Sequence, residues 1–239
     1  MQFIKRRGDL DSEPDLCSVC ERAFIAHAVS LGGVELFRAR YCQTCVEVRL
    51  TAGQCDDRGR KHACDWERIC PIEYRDTDLA HSGISSQCRV GAVEWDARSN
   101  RGLAFIGDTG TGKTRSLFAA LHHAHDLGRR CESISHNRFS RVVAEAFAGD
   151  VTERSRAKGI LRRISNAEVL LFDDLGKAPN TERADAEFEE LVEYRTSHGL
   201  PILWTANGSG EWLARRFGAD RGEPIVRRLA EFCRVLKVS

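Results

Sequence analysis

The sequence has no apolar run that approaches the roughly 18–20 residues of a membrane span, so no helical membrane anchor is expected. Its first residues, Met1-Gln2-Phe3-Ile4-Lys5-Arg6-Arg7, lack the apolar core of a secretory signal. No internal repeat and no low-complexity tract is present, which argues against a solenoid or a disordered spacer. Charge of either sign is not in excess: 36 Lys and Arg face 35 Asp and Glu, a net charge of +1. A nucleic-acid partner would therefore be met by local patches and not by the chain as a whole. These absences together lead us to expect a cytoplasmic protein without membrane contact.

Cysteine, by contrast, is abundant. Ten occur in 239 residues, seven of them from Cys17 to Cys70, with only Cys88, Cys131 and Cys233 outside that stretch. In a reducing compartment, clustered cysteines bind metal more often than they form disulfides. Cys17-Ser18-Val19-Cys20 and Cys42-Gln43-Thr44-Cys45 are two C-x-x-C turns with 21 residues between them, one more than the usual zinc-ribbon gap. Each turn can present two thiolates, and four thiolates close a tetrahedral structural Zn²⁺ site. Bound metal would supply folding free energy to a module too small for a core of its own. Cys55, Cys64 and Cys70 follow at irregular spacing, with His62 and His81 nearby. They form either a second metal site or small buried core residues. Arg38, Arg40, Arg49, Arg58, Arg60 and Lys61 surround the module, but Phe37 and Tyr41 are the only aromatics among them. A base-stacking platform is weakly signalled, and docking to another protein is the preferred reading.

Composition divides the chain into a cysteine-rich module (1–70), a polar linker with one short helix near Val90 to Trp95 (71–100), and a region alternating apolar runs with helical patterns (101–239). That alternation predicts βα units and a parallel sheet. Strands are expected at Leu103 to Ile106, Cys131 to Ser135, Val169 to Asp173, Ile202 to Ala206 and Phe232 to Val238. The clearest helix covers Arg183 to His198, with Ala184, Phe188, Leu191 and Val192 at three- and four-residue spacing.

Between the first of these strands and a helical segment lies Gly107-Asp108-Thr109-Gly110-Thr111-Gly112-Lys113-Thr114, a full G-x-x-x-x-G-K-[ST] loop. Glycines and small residues let successive N–H groups turn around a polyphosphate, and the helix N-terminus behind them adds partial positive charge. Lys113 is expected to reach the β- and γ-phosphates, and the Thr114 hydroxyl to contact Mg²⁺. Val169 to Phe172 then lead to Asp173 and Asp174 at a strand end, where ligands of open parallel sheets gather. Asp173 is the expected Mg²⁺ partner and Asp174 the expected water-polarising base. A polar group at the end of the next strand could feel the γ-phosphate. Asn207 is the first choice and Thr205 the second, unless Asn207 merely caps the helix near Gly210. Arg227 and Arg228 stand on a helix before the last strand, as a finger toward a neighbour's phosphate or as plain surface charge. Arg138, Arg141, Arg154, Arg156, Lys158, Arg162 and Arg163 could follow a DNA backbone or could be a solvated helix face, and Lys177 and Arg183 are further candidates.

This pattern resembles an AAA+ ATPase, and more narrowly the helicase-loader and transposition-helper branch of the DnaC, DnaI and IstB type. The resemblance covers about residues 100–238 and is carried by Gly107 to Thr114, Val169 to Gly176, Thr205-Ala206-Asn207, and Ile225 to Leu229 with Cys233 to Leu236. It implies an α/β fold: a P-loop AAA+ core with a five-stranded parallel sheet and no lid, preceded by a small zinc-ribbon-like domain. It further implies ATP hydrolysis, slow alone and stimulated by assembly or DNA, with Asn207 as sensor and Arg228 reaching the adjacent nucleotide after self-assembly. ATP, Mg²⁺ and Zn²⁺ are the implied cofactors. The implied partners are a hexameric replicative DNA helicase, held by the N-terminal module, and single-stranded DNA; the alternative is a transposition helper on target DNA. Asp174 departs from the Glu of many AAA+ proteins and is one methylene shorter, which implies slow turnover.

Overall fold

Short apolar runs rich in Val, Ile, Leu and Phe become buried parallel strands because a sheet covered on both faces leaves no position for polar alternation. The structure is a computed structural model that describes residues 65–239, apart from 78, 180 and 219, and the backbone of four short strands within 15–38. Two compact units are present, Met1–Cys64 and Asp65–Ser239. In the first, β1 (Asp15–Leu16) pairs with β2 (Ala23–Phe24) and β3 (Ala28–Leu31) with β4 (Val34–Arg38), both antiparallel. Cys17, Cys20, Cys42 and Cys45, the expected zinc ligands, lie outside the described residues, as do Cys55 and Cys64.

The second unit holds β5 (Gly102–Gly107), β6 (Cys131–Ser135), β7 (Val169–Leu175), β8 (Ile202–Ala206) and β9 (Cys233–Val238). They form one five-stranded parallel sheet in the order β6-β7-β8-β5-β9. Each strand matches its expected position to within two residues at either end. After a helical stretch over 65–69 and a 3-10 turn (Ile72–Tyr74), the helices within 86–232 are α1 (Ser86–Glu94), α2 (Lys113–Asp126), α3 (His136–Ala148), α4 (Val151–Asn166), α5 (Glu182–Ser197), α6 (Gly210–Arg216) and α7 (Gly222–Phe232). None of the described helices is long and apolar enough to cross a membrane.

Side chains alternate across the sheet with period two, so each strand feeds two cores. Leu103, Phe105, Leu171 and Leu203 pack with Leu117 and Leu121 of α2, while Ala104, Leu170, Phe172 and Trp204 pack with Phe139 of α3 and Phe188 of α5. The 71–100 segment, expected as a linker, instead supplies Ile84, Cys88, Ala92, Trp95 and Ala97 to the first core. Its polar composition hid a small apolar face: a Cβ on Gly91 would come within 2.8 Å of the Phe105 ring, so α1 packs directly on the sheet. Trp95 anchors the end of α1 by donating to the carbonyl of Arg101 (2.9 Å).

Arg195 of α5 is fully buried, and its guanidinium donates to the carbonyls of Ile164, Ser165, Ala167 and Pro201 at 2.8–3.1 Å. It thereby satisfies carbonyls at the C-terminal end of α4 that the helix itself leaves unpaired, and ties them to the start of β8.

Candidate nucleotide site

The C-terminal ends of β5, β7 and β8 lie side by side, and each delivers part of the site. From β5 comes the loop 107–114. Gly112 is its pivot: it has φ 81° and is the N-cap of α2. A Cβ there would lie 2.2 Å from the carbonyl oxygen of Gly83, so only glycine fits under the 83–85 segment. That segment is held to the loop by the Ser85 N–H donating to the carbonyl of Thr111 (3.1 Å). No side chain caps α2 at Gly112, leaving its first N–H groups directed at the loop as an anion cradle. Asp108, Thr109 and Gly110 are exposed, and the Thr111 hydroxyl donates to the carbonyl of Asp108 (3.1 Å). Lys113 is buried, and its Nζ donates to the carbonyls of Gly107 (2.9 Å) and Asp108. Burial pulls its pKa below the usual lysine value, and the nearby charges of Asp174 and Asp108 resist that pull.

From β7 come the two carboxylates, and the register explains how they emerge together. Phe172 pairs with Trp204 and Leu175 with Ala206, so Asp173 and Asp174 both stand opposite Thr205. Two residues against one is a β-bulge, which bends the strand and turns the second carboxylate out of the pleat. Asp174 accordingly has φ 55°, a left-handed conformation that Asp tolerates better than most residues. Thr205, fully buried, serves both: its hydroxyl donates to Oδ1 of Asp173 (2.6 Å) and accepts from the N–H of Asp174 (2.9 Å). The sequence offered Thr205 only as a second choice for sensing phosphate; its observed partners are the two acids.

The Thr114 hydroxyl also donates to Oδ1 of Asp173 (2.8 Å). Burial raises the Asp173 pKa, as does the charge of Asp174, while the hydrogen bonds from Thr205 and Thr114 oppose the rise. A hydroxyl and a carboxylate in contact are hard oxygen donors of the kind Mg²⁺ takes beside phosphate oxygens, so this pair fits the ion. Asp174 pairs with Lys177 (2.7 Å), which engages a residue that could otherwise meet DNA.

From β8 comes Asn207. Ile106 pairs with Ala206, so Asn207 is one step beyond, beside Gly107, and is partly buried. It is not the cap of α6: Ser209 is, accepting from the N–H of Trp212 (3.2 Å). Arg228 of α7 is exposed and pairs with Glu193 of α5 (3.4 Å); among the described residues no hydrogen bond or ion pair joins it to the loop or to Asp173 and Asp174. Arg227 and Arg215 form pairs within their own helices, with Glu231 and Glu211. Arg216 is different, since its Nε donates to the carbonyl of Gly176 (2.9 Å) and Nη2 to that of Ala178.

Among the described residues no group of three or more His, Cys, Asp or Glu is placed to hold a metal. Cys70, considered for a second zinc site, is buried in the core with Trp66, Ile69 and Cys88, and that burial pushes its thiol up to about 12.

Comparison with known proteins agrees with this geometry. The family described as "IstB-like ATP binding protein" matches residues 71–239. The solved structure of the DnaC helicase loader is 20% identical, with a TM-score of 0.57 over 71% of this chain and 100% of that one. That of DnaI is 20% identical, with a TM-score of 0.58 over 71% and 95%. DnaA from Aquifex aeolicus bound to AMPPCP is 18% identical, with a TM-score of 0.55 over 71% and 52%. At these identities the likeness carries the fold, an α/β P-loop AAA+ core. No curated protein sequence matches the chain. With its phosphate loop on β5, its paired acids on β7 and the match over 71–239, the chain belongs to the IstB-like ATP binding protein family.

Proposed function

We propose that this protein is an ATP-dependent helicase loader, which docks a hexameric replicative DNA helicase through residues 1–70 and delivers it to single-stranded DNA. The observation that carries the ATPase part is the contact of Thr114 with Asp173, which joins the phosphate loop to the acid-bearing strand at 2.8 Å. Gly107, Asp108, Thr109, Gly110, Thr111 and Gly112 wrap the polyphosphate with backbone N–H groups, and Lys113 leaves its loop carbonyls to bind phosphate oxygens. Thr114 and Asp173 would hold Mg²⁺, which supplies charge neutralisation for the transferred phosphoryl group. Asp174 takes the proton of the attacking water on its carboxylate, and Asn207 orients that water. Arg228, exposed on α7, serves the nucleotide of a neighbouring copy, so turnover depends on self-assembly.

The loader reading draws on the fold shared with the DnaC helicase loader and DnaI, and on the cysteine-rich module as a separate docking unit with zinc at Cys17, Cys20, Cys42 and Cys45. For DNA, Arg154, Lys158 and Arg162 recur every four residues on α4 and are exposed, whereas Arg156 and Arg163 are occupied by Glu145 and Glu132. A second reading, a transposition helper that assembles on target DNA, is favoured by the family match itself. Purified full-length protein tests the two. Co-purification with the host replicative helicase, together with ATP-stimulated binding to single-stranded DNA, supports the loader. ATP-dependent filaments on double-stranded DNA without helicase binding support the helper.

A further inference from the structure

Gly176 lies two residues after Asp174, and side chains hold both of its backbone polar groups. Its N–H donates to Nδ1 of His136 (2.8 Å), and its carbonyl accepts from Nε of Arg216 (2.9 Å). Its φ is 93°, and a Cβ would lie 2.7 Å from ring carbons of Trp212, so only glycine fits at this turn. The bulge explains why side chains are needed. Past Phe172 the regular ladder with β8 is interrupted, and the N–H groups of Asp174 and Gly176 are taken by Thr205 and His136 instead.

His136 is unusual for its surroundings. It opens α3 directly after Ser135, whose backbone pairs with Asp173. Its ring is fully buried, with the rings of Phe172, Phe188 and Phe217 at 5.7, 6.0 and 5.8 Å. Because Nδ1 accepts, the ring proton must be on Nε2, and that buried nitrogen has no hydrogen-bond partner. A buried polar group left unpaired costs about 1–3 kcal/mol. A phenylalanine or leucine would fill the same aromatic pocket without that cost, so the feature unique to histidine here is its Nδ1 acceptor. Burial, with help from the Arg216 charge, holds the imidazole at about 4, so it stays a neutral acceptor near neutral pH.

We propose that His136 is a positioning residue for Asp174: by accepting the Gly176 N–H from inside the core, it fixes the left-handed turn that presents this carboxylate to the attacking water. The inference rests on the reading of Asp174 as the base. It assigns to α3 an indirect part in hydrolysis, through a buried residue that acts on the backbone next to Asp174.

The test compares His136→Phe, which keeps the packing and removes the acceptor, with His136→Asn, whose amide oxygen falls near the place of Nδ1. Asp174→Asn is run beside them, all in the full-length chain. Steady-state ATP hydrolysis, affinity for a fluorescent ATP analogue and thermal melting are measured. For His136→Phe, kcat is expected to fall on the order of 10- to 100-fold, the scale of a misplacement of about 1 Å. KM and analogue affinity should stay within about twofold, and His136→Asn should regain most of the rate. Unchanged kcat in His136→Phe, a loss of affinity in step with kcat, or a His136→Asn as slow as the Phe variant would overturn the proposal. Should His136→Phe not fold, His136→Gln takes its place, since its amide reaches toward Nε2; a Gln variant as fast as the Asn variant also overturns it. An active Asp174→Asn would remove the base assignment, whereas an inactive Asp174→Asn with an active His136→Phe removes only the role of His136.

Discussion

The hydroxyl of Thr114 donates to Oδ1 of Asp173 at 2.8 Å, across 59 residues of sequence, and Thr205 donates to the same oxygen at 2.6 Å. One carboxylate oxygen thus joins the phosphate loop to two strands. This oxygen is buried, and its charge is destabilised there.

Replacing Asp173 should therefore separate stability from activity. Its folded pKa is raised, so the folded state holds its proton to higher pH than the unfolded chain does. The stability it contributes is present below the unfolded value and is lost as pH rises through the folded value. Asp173→Asn should raise the melting temperature of the nucleotide-free protein at pH 7, with the gain vanishing below about pH 4, where the aspartate is protonated in both states. Hydrolysis should be lost throughout. Differential scanning calorimetry across pH checks the sign.

Lys113 is buried beside the loop, where the carbonyls of Gly107 and Asp108 hold its Nζ at the candidate phosphate position. Lys113→Ala should weaken ATP binding by at least about tenfold, the value of one charge-assisted hydrogen bond. Titration with a fluorescent analogue measures this, and unchanged affinity would remove the loop from the site.

Arg228 and Glu193 are both exposed, and such pairs contribute roughly 0–1 kcal/mol. Arg228→Ala should leave the urea midpoint and ATP affinity nearly unchanged. What should disappear is the rise in specific hydrolysis with protein concentration. If that rise persists, the finger assignment moves to Arg227 or Arg215.

Arg195 should behave in the opposite way. Of its four carbonyl partners at the junction of α4 and β8, Pro201 keeps the N–H of Leu170 (3.2 Å), while those of Ile164, Ser165 and Ala167 lose the guanidinium in Arg195→Met. A loss of roughly 3 kcal/mol or more is expected, from one or more stranded carbonyls at about 1–3 kcal/mol each. Urea denaturation followed by circular dichroism measures it, with the residual folded protein still binding ATP.

For the cysteine module, metal analysis of the purified chain should find about one zinc per molecule, and Cys17→Ser or Cys42→Ser should remove it. Retention of stoichiometric zinc in the double variant would exclude these turns as the ligands.

Much of the site was legible because its chemistry is local. The loop from Gly107 to Thr114 needs glycines and a lysine at set spacing, and the Asp173-Asp174 pair follows an apolar run whose burial is evident from composition. The five strands were legible for the same reason. What could not be read was any role that depends on register or on burial of a polar group. Thr205 meets both acids because a bulge sets two residues of β7 against one of β8. His136 and Arg216, which hold Gly176, carry no motif and have partners 40 residues away. The 71–100 stretch looked like a linker because its few small apolar residues are scattered among polar ones, yet Cys88, Gly91 and Ala92 of α1 are buried against the sheet while Val90 and Val93 stay exposed. The sequence by itself determined the residue types of the candidate site, a glycine-rich loop with a lysine, two acids and an apolar scaffold to carry them, since those properties reside in residue type and short spacing. The tertiary structure alone decided which side chains aim the acids, because hydrogen bonds across a sheet depend on register and on where a buried polar atom finds its partner.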